Sequence, residues 1–404
     1  MFRRVTFSAA GSALCGASWM LPVHWLGPVL SLAFVDLVLS QRACGRQTVG
    51  WQARVARYLV AVAYYAAGSV GLLRGVAVFF GSHAPVWEGA LLWLGSSACL
   101  AAGWAFADRP WKAILVLLFD ALMPPLAFFD WLSPLASAGV LFPGFGWVGL
   151  ILTLIWAMSV WYLLWPLEKL DQAWTAAGLF GAIMIANAWP MLYPVQPPSG
   201  WRGVDLHVGP DVPNILANQA RHEAILQETL AHSRGAKVLL LPETLETDWA
   251  GNDWAIQQAI PPGQTWLLGL SVPRKPGLMT DSIVAFRHSG KPRVLFNSAF
   301  PVPVSMWHPW LRGTGYVRAN HVGYQAAWWT PVRTIQGVRA WASICYDQLL
   351  PFVWIEALLQ HPQVILLTNN EWWAQGTGIP TVQHNTAWAW GRLLGVPEIE
   401  SENF

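Results

Sequence analysis

Two patterns of apolar residues divide the chain. Up to about residue 195, long apolar runs alternate with short loops, and after it the runs shorten and change period. The long runs cover 5–21, 25–40, 58–80, 87–107, 113–132, 146–165 and 173–193. Each approaches the ~20 residues needed to cross a hydrocarbon layer of about 30 Å. They predict about seven transmembrane helices, a membrane bundle over residues 1–195. The first two runs are the shortest, and MFRR followed by an apolar stretch also has the layout of a signal peptide.

Loop charge adds an orientation. Arg3 and Arg4, then Arg42, Arg46, Arg54 and Arg57, then Arg109 and Lys112, then Lys169 fall in alternate loops. The loops at 22–24, 81–85 and 133–145 hold neither Lys nor Arg. Under the positive-inside rule the N-terminus is cytoplasmic, in a bacterial inner membrane, and an odd number of crossings puts residues 196–404 in the periplasm. Asp36, Arg74 and Asp120 lie within apolar runs, where a charge marks either a polar pocket or a pair holding helices together.

Past the Pro-rich 194–200, strand-like runs at 204–208, 238–241, 266–272, 282–286, 293–296, 338–344 and 364–368 alternate with helical stretches at 213–232 and 352–360. That alternation predicts a layered α/β domain over 196–404. Composition fits a membrane protein: 54% of the 404 residues are hydrophobic, 11% are charged and 28 are tryptophan. A net charge of +2 gives no reason to expect direct nucleic-acid binding. Cys15, Cys44, Cys99 and Cys345 form no CxxC pair, so neither a disulfide framework nor a metal site is expected, and nothing calls for a cofactor.

The chemistry gathers where apolar strands end. Glu243 follows VLLLP, Cys345 follows WASI, and Asn369-Asn370 follows VILLT. Strand ends and the loops after them are where layered α/β folds place reactive groups. A carboxylate beside a thiol takes its proton, and the thiolate attacks an acyl carbon. The alternative for Cys345 is a small buried hydrophobe.

The runs VLLLPETL, DSIVAFRHSGKPRVLFNSAFPVPVSMW, ASICYDQLLP and VILLTNNEWWAQGTG…QHNTAWAWGRLLGVP occur in that order. Together they resemble the carbon–nitrogen hydrolase (nitrilase) superfamily, in its apolipoprotein N-acyltransferase-like branch. Within it the chain looks most like the conjugal-transfer subgroup of rhizobial and Ti-type plasmids. The resemblance implies an α-β-β-α sandwich after the bundle and a Glu–Lys–Cys triad, with Glu243 as general base and Cys345 as the nucleophile that carries the acyl group as a thioester. It implies a phospholipid acyl donor, a lipoprotein or other amine acceptor, and partners in the conjugation machinery. Asp347, Asn369, Trp372 and Trp373 match residues near the family's substrate pocket. Two departures stand out. Ser298 occupies the family's Lys position and Met306 its acidic one. His308, Arg312 and Arg318, in the Trp-rich loop that follows, are the candidate replacements for that charge. The chain also ends seven residues after Pro397, so the sandwich is expected to lack its closing strands and to expose a sheet edge. Two functions follow: acyl transfer through Cys345, or a catalytically impaired protein that binds lipid or envelope partners.

Overall fold

The structure, a computed structural model, describes residues 2–41, 50–79, 86–163, 170–210, 214–245, 253–307 and 323–404. The first half is helical: α1 (Phe2–Ala17), α2 (Leu26–Leu39), α3 (Gly50–Gly68), α4 (Leu72–Phe79), α5 (Val86–Trp104), α6 (Pro110–Leu122), α7 (Ser137–Leu141), α8 (Gly146–Leu163) and α9 (Leu170–Leu192). Two of the runs are cut short because breakers lie inside them. Pro124 and Pro125 stop α6 after 13 residues, about 20 Å of helix. The run 58–80 breaks at Ser69–Gly71, and its two pieces meet at 49°.

The expected seven-helix membrane bundle is therefore overturned. Among the described residues no single helix is long and apolar enough to cross a membrane. Two bent pairs meet the length and composition test together, Gly50–Gly68 with Leu72–Phe79 and Pro134–Leu141 with Gly146–Ala157, the second bent by 113°. A periplasmic placement that counted seven crossings has no such count to stand on.

The second half is built from two sheets. One runs β1 (Trp201–Gly203), β2 (Val238–Leu240), β3 (Thr265–Lys275), β4 (Leu278–Arg287) and β5 (Arg293–Asn297), with β6 (Gly323–Tyr324) also paired to β4. The other has the order β10 (Glu398–Asn403), β9 (Val364–Asn370), β8 (Val338–Ile344), β7 (Arg333–Ile335). Side chains alternate across each strand and so sort into three layers. Val238, Leu240, Leu267 and Ile283 meet Ala342, Ile344, Leu366 and Ile399 between the sheets. Leu239, Leu241, Trp266 and Phe286 turn outward to α10 (Ile215–Ser233) and α11 (Asp253–Ala259), where Ile225 and Ile256 pack on them. Trp341, Ile365 and Leu367 turn the other way, to Trp354 on α12 (Pro351–Gln360) and Trp390 on α13 (Ile379–Leu394).

The expected bare edge after Pro397 is not there. Glu398–Asn403 run parallel to β9 along its whole length. Polar side chains make this strand cohere: Ser401 Oγ donates to the Val204 carbonyl at 2.5 Å, and Asn403 Nδ2 to Asn370 Oδ1 at 3.0 Å.

The helical half and the sandwich share one core, which runs from Phe34 and Tyr64 through Trp131 and Leu135 to Trp354 and Trp390. Close approach across the junction requires glycine. A Cβ on Gly139 of α7 would lie 1.6 Å from the Ala389 carbonyl oxygen on α13. Polar bonds lock the same junction: Asn385 Nδ2 donates to the carbonyls of Trp19 and Leu21 at 2.8 and 3.0 Å, and Arg392 donates to Asn187 Oδ1 at 2.9 Å.

Candidate active site

Cys345 stands where β8 ends and a short 3₁₀ turn, Cys345–Leu349, begins. Its φ of +48° is the left-handed region, which a non-glycine residue enters only at a cost. That kink ends the strand and turns the half-buried thiol out of the sheet. Glu243 arrives from the end of β2 and is buried. Its loop crosses β3 closely enough that a Cβ on Gly269 would lie 2.4 Å from Glu243 Cα, so glycine at 269 sets the carboxyl's position. Two strand ends remote in sequence thus bring Glu243 and Cys345 together, near enough for each to shift the other's hold on its proton. Glu243 Oε2 has no hydrogen bond of good geometry among the described residues, which leaves a vacant lone pair on a buried oxygen.

A second carboxyl, unforeseen in the sequence, completes this corner. Asp281 on β4 is buried beside Glu243, with Thr244 Oγ1 between them, 3.4 Å from Glu243 Oε1 and 3.5 Å from Asp281 Oδ1. Burial raises both carboxyls, and Glu243 raises Asp281 further. The two carboxyls lie close enough to titrate as one unit and to share a proton between them. Burial, then Glu243, Asp281 and Glu371, push the Cys345 thiol well above its ordinary value.

Ser298 lies beside this group. Its Oγ donates to Asp347 Oδ1 at 3.1 Å, and its N–H donates to the Asp281 carbonyl at 2.8 Å. Asp347, fully buried two residues after the cysteine, also accepts from the N–H groups of Ala299 (2.9 Å) and Phe300 (2.7 Å). It holds the 298–300 segment against the turn and is itself raised by burial to about 7. His308, Arg312 and Arg318 lie outside the described residues.

Asn369 sits behind the cysteine. Its Oδ1 accepts from Gln348 (2.7 Å) and Gln383 (2.6 Å), and Gln383 Nε2 also donates to the Cys345 carbonyl at 3.1 Å. These two glutamines, like Asp281, carry no motif signal. Trp373 packs on Phe79 of α4 with ring centroids 4.7 Å apart and lines the pocket below; Trp372 is not among the lining residues.

That pocket is a cavity of about 90 Å³ with Cys345 in its wall. The rest of the lining is almost wholly apolar and comes from both halves: Met20, Leu72, Val76, Leu92 and Trp131 from the helices, and Tyr346, Leu349, Trp373, Ile379 and Val382 from the sandwich. Tyr346 ties the halves together at this point, its hydroxyl donating to the Phe128 carbonyl at 2.6 Å. Such a chamber offers mostly hydrocarbon contact, with the thiol, Ser69, Thr377 and Gln383 as its polar points.

No family model matches the chain. It is similar to the conjugal transfer protein TraB of Agrobacterium fabrum, with 31% identity over 366 residues, 85% of this chain and 82% of that one. It is also similar to a probable conjugal transfer protein TraB of Sinorhizobium fredii, with 29% identity over 389 residues, 94% and 95% of the two chains. Among solved structures, an amidase of the nitrilase superfamily from Nesterenkonia covers 44% of this chain and 68% of its own at 17% identity and a TM-score of 0.32. A carbon–nitrogen hydrolase from Helicobacter pylori covers 50% and 73% at 14% identity and a TM-score of 0.34.

Proposed function

The chain belongs to the conjugal transfer protein TraB family, and on that premise we propose that it is a thiol-dependent acyltransferase serving plasmid conjugal transfer. The observation that carries this reading is the apolar pocket with Cys345 in its wall and the buried Glu243 beside the thiol. In the first step Glu243 takes the Cys345 proton while sulfur attacks the carbonyl carbon of an acyl ester. The ester C–O bond breaks, and the leaving alkoxide receives the proton back from Glu243. In the second step an amine attacks the thioester, the C–S bond breaks, and the proton lost by the amine restores the thiol. The acyl chain lies along Leu72, Val76, Leu349 and Val382. Asp281, buried beside Glu243, titrates with it as a pair and so tunes the base.

The donor we propose is a membrane phospholipid. Supporting it, the helical half turns large apolar side chains outward, among them Phe7, Trp87, Leu91, Trp174, Ile185 and Leu192. So broad an exposed apolar surface suits contact with lipid or another apolar partner.

A second reading, a protein that binds a lipid or peptide without turnover, is favoured by one feature: the charges that act most strongly on the thiol are all carboxyls, which oppose thiolate formation. Intact-protein mass spectrometry after incubation with phosphatidylethanolamine vesicles separates the two. Acyl transfer predicts an acyl mass on Cys345 that hydroxylamine removes and that is absent in Cys345→Ala. A free thiol with lipid bound non-covalently supports the second reading and rejects the first.

A further inference from the structure

Behind the pocket, three elements bring a second set of groups together. Glu371 follows β9, His384 lies on α13, and Glu402 lies on β10. Their donor atoms all fall within 4.8 Å of one another. His384 Nε2 is 3.6 Å from Glu371 Oε1 and 3.5 Å from Glu400 Oε1, and it touches Glu402 Oε1. Glu371 is only 4% exposed, and its Oε1, aimed into this cluster, has no hydrogen-bond partner among the described residues. A buried carboxyl oxygen left in that state is costly unless something else meets it.

We propose that Glu371, His384 and Glu402 bind a first-row divalent transition-metal ion, with Glu400 at the solvent side. One imidazole nitrogen and two or three carboxylate oxygens form a donor set that such ions take. With Zn–N and Zn–O bonds of about 2.0–2.1 Å, neighbouring tetrahedral ligands stand roughly 3.3 Å apart. The spacings from His384 to Glu371 and Glu400 are close to that, and the His384–Glu402 contact opens slightly to admit the ion. A supporting bond is already in place, since Asn369 Nδ2 donates to Glu402 Oε1 at 3.1 Å and orients it. Asn369 in turn holds Gln383, which holds the Cys345 carbonyl, so the ion pins β9, α13 and β10 directly behind the thiol. The sequence offered no sign of this site: its ligands are scattered over three elements, and no metal was expected.

Calorimetric titration of the full-length chain with Zn²⁺, after chelator treatment, tests the proposal, with Co²⁺ absorption as a second readout. One ion per chain is expected. Its affinity falls at least about tenfold in Glu371→Gln and in His384→Ala, and is unchanged in His232→Ala, an exposed histidine elsewhere. Zn²⁺ also raises the unfolding temperature of the wild type but not of the two variants. Glu371→Gln is isosteric and decides the matter if His384→Ala does not fold. Failure to bind at millimolar Zn²⁺, or equal affinity in wild type and Glu371→Gln, overturns the proposal.

Discussion

Asp347 offers the sharpest structural test of the candidate site, because everything it does is done by two oxygens. Oδ1 accepts from Ser298 Oγ and Phe300 N–H, and Oδ2 accepts from Ala299 N–H. In Asp347→Ala all three donors lose their acceptor inside the protein. Each orphaned donor costs about 1–3 kcal/mol. The serine hydroxyl can rotate away, so the total is about 3–5 kcal/mol. In Asp347→Asn the amide oxygen keeps the two donors at Oδ1, but its NH₂ then opposes the Ala299 N–H, a loss of about 1–3 kcal/mol. Ser298→Ala removes one bond and costs about 1 kcal/mol. The predicted order is Ser298→Ala, then Asp347→Asn, then Asp347→Ala. Urea unfolding followed by tryptophan fluorescence at pH 8, where Asp347 is ionised, measures it. An Asp347→Ala variant as stable as Ser298→Ala would refute the reasoning, since the 298–300 segment would then be held by something else.

Three further outcomes follow from the same structure. Gly139→Ala drives a methyl group to 1.6 Å from a backbone oxygen that cannot move alone, so α7 and α13 must part; the unfolding temperature falls steeply, and a wild-type value would contradict the packing. Burial raises Asp347 to about 7 and Glu356 and Glu398 to about 8. A carboxyl raised on folding binds its proton more tightly in the folded chain, so its contribution is full below about pH 4 and is lost as pH climbs through 7–8. The chain should therefore melt higher at pH 5.5 than at pH 8.5, and the reverse would be inconsistent with these burials. Ser298→Lys places a cation among Glu243, Asp281 and Asp347; it should speed Cys345 alkylation at neutral pH about tenfold for each unit by which the thiol's pKa falls. An unchanged rate would show that position 298 does not reach the thiol.

How much of this could be read from the sequence differs by region, for physical reasons. Glu243 and Cys345 were legible because each follows an apolar strand whose end is marked by a change to polar residues, and β2 and β8 are strands at those places. Asp281 was not, because it comes just before the run 282–286 with no strand end to mark it, and only the pairing of β4 with β3, which sets Asp281 against Ser271, carries it to the corner. Gln348 and Gln383 act through backbone carbonyls and one amide, contacts that leave no spacing pattern. The helical half was misread because run length cannot distinguish a span from shorter helices folded against a sandwich. Pro124–Pro125 and Gly71 lie inside apolar runs that composition alone does not divide, and at Gly71 the Thr377 carbonyl comes within 2.2 Å of where a Cβ would be. The tail EIESEN reads as a polar end, yet Ser401, Glu402 and Asn403 are buried because each polar side chain finds a partner there.

The Glu243–Cys345 pair is the centre of the functional account, and the rate of Cys345 acylation tests it most directly. Nitrophenyl esters of acetate and octanoate, followed by release of nitrophenol in a single turnover, report that rate without a lipid interface. The account predicts faster acylation by the octanoyl ester, whose chain fills the apolar pocket, and a loss of about 10²–10⁴ in Glu243→Gln, the usual contribution of a positioned base. Equal rates in wild type and Glu243→Gln, with no preference for the longer chain, would contradict it.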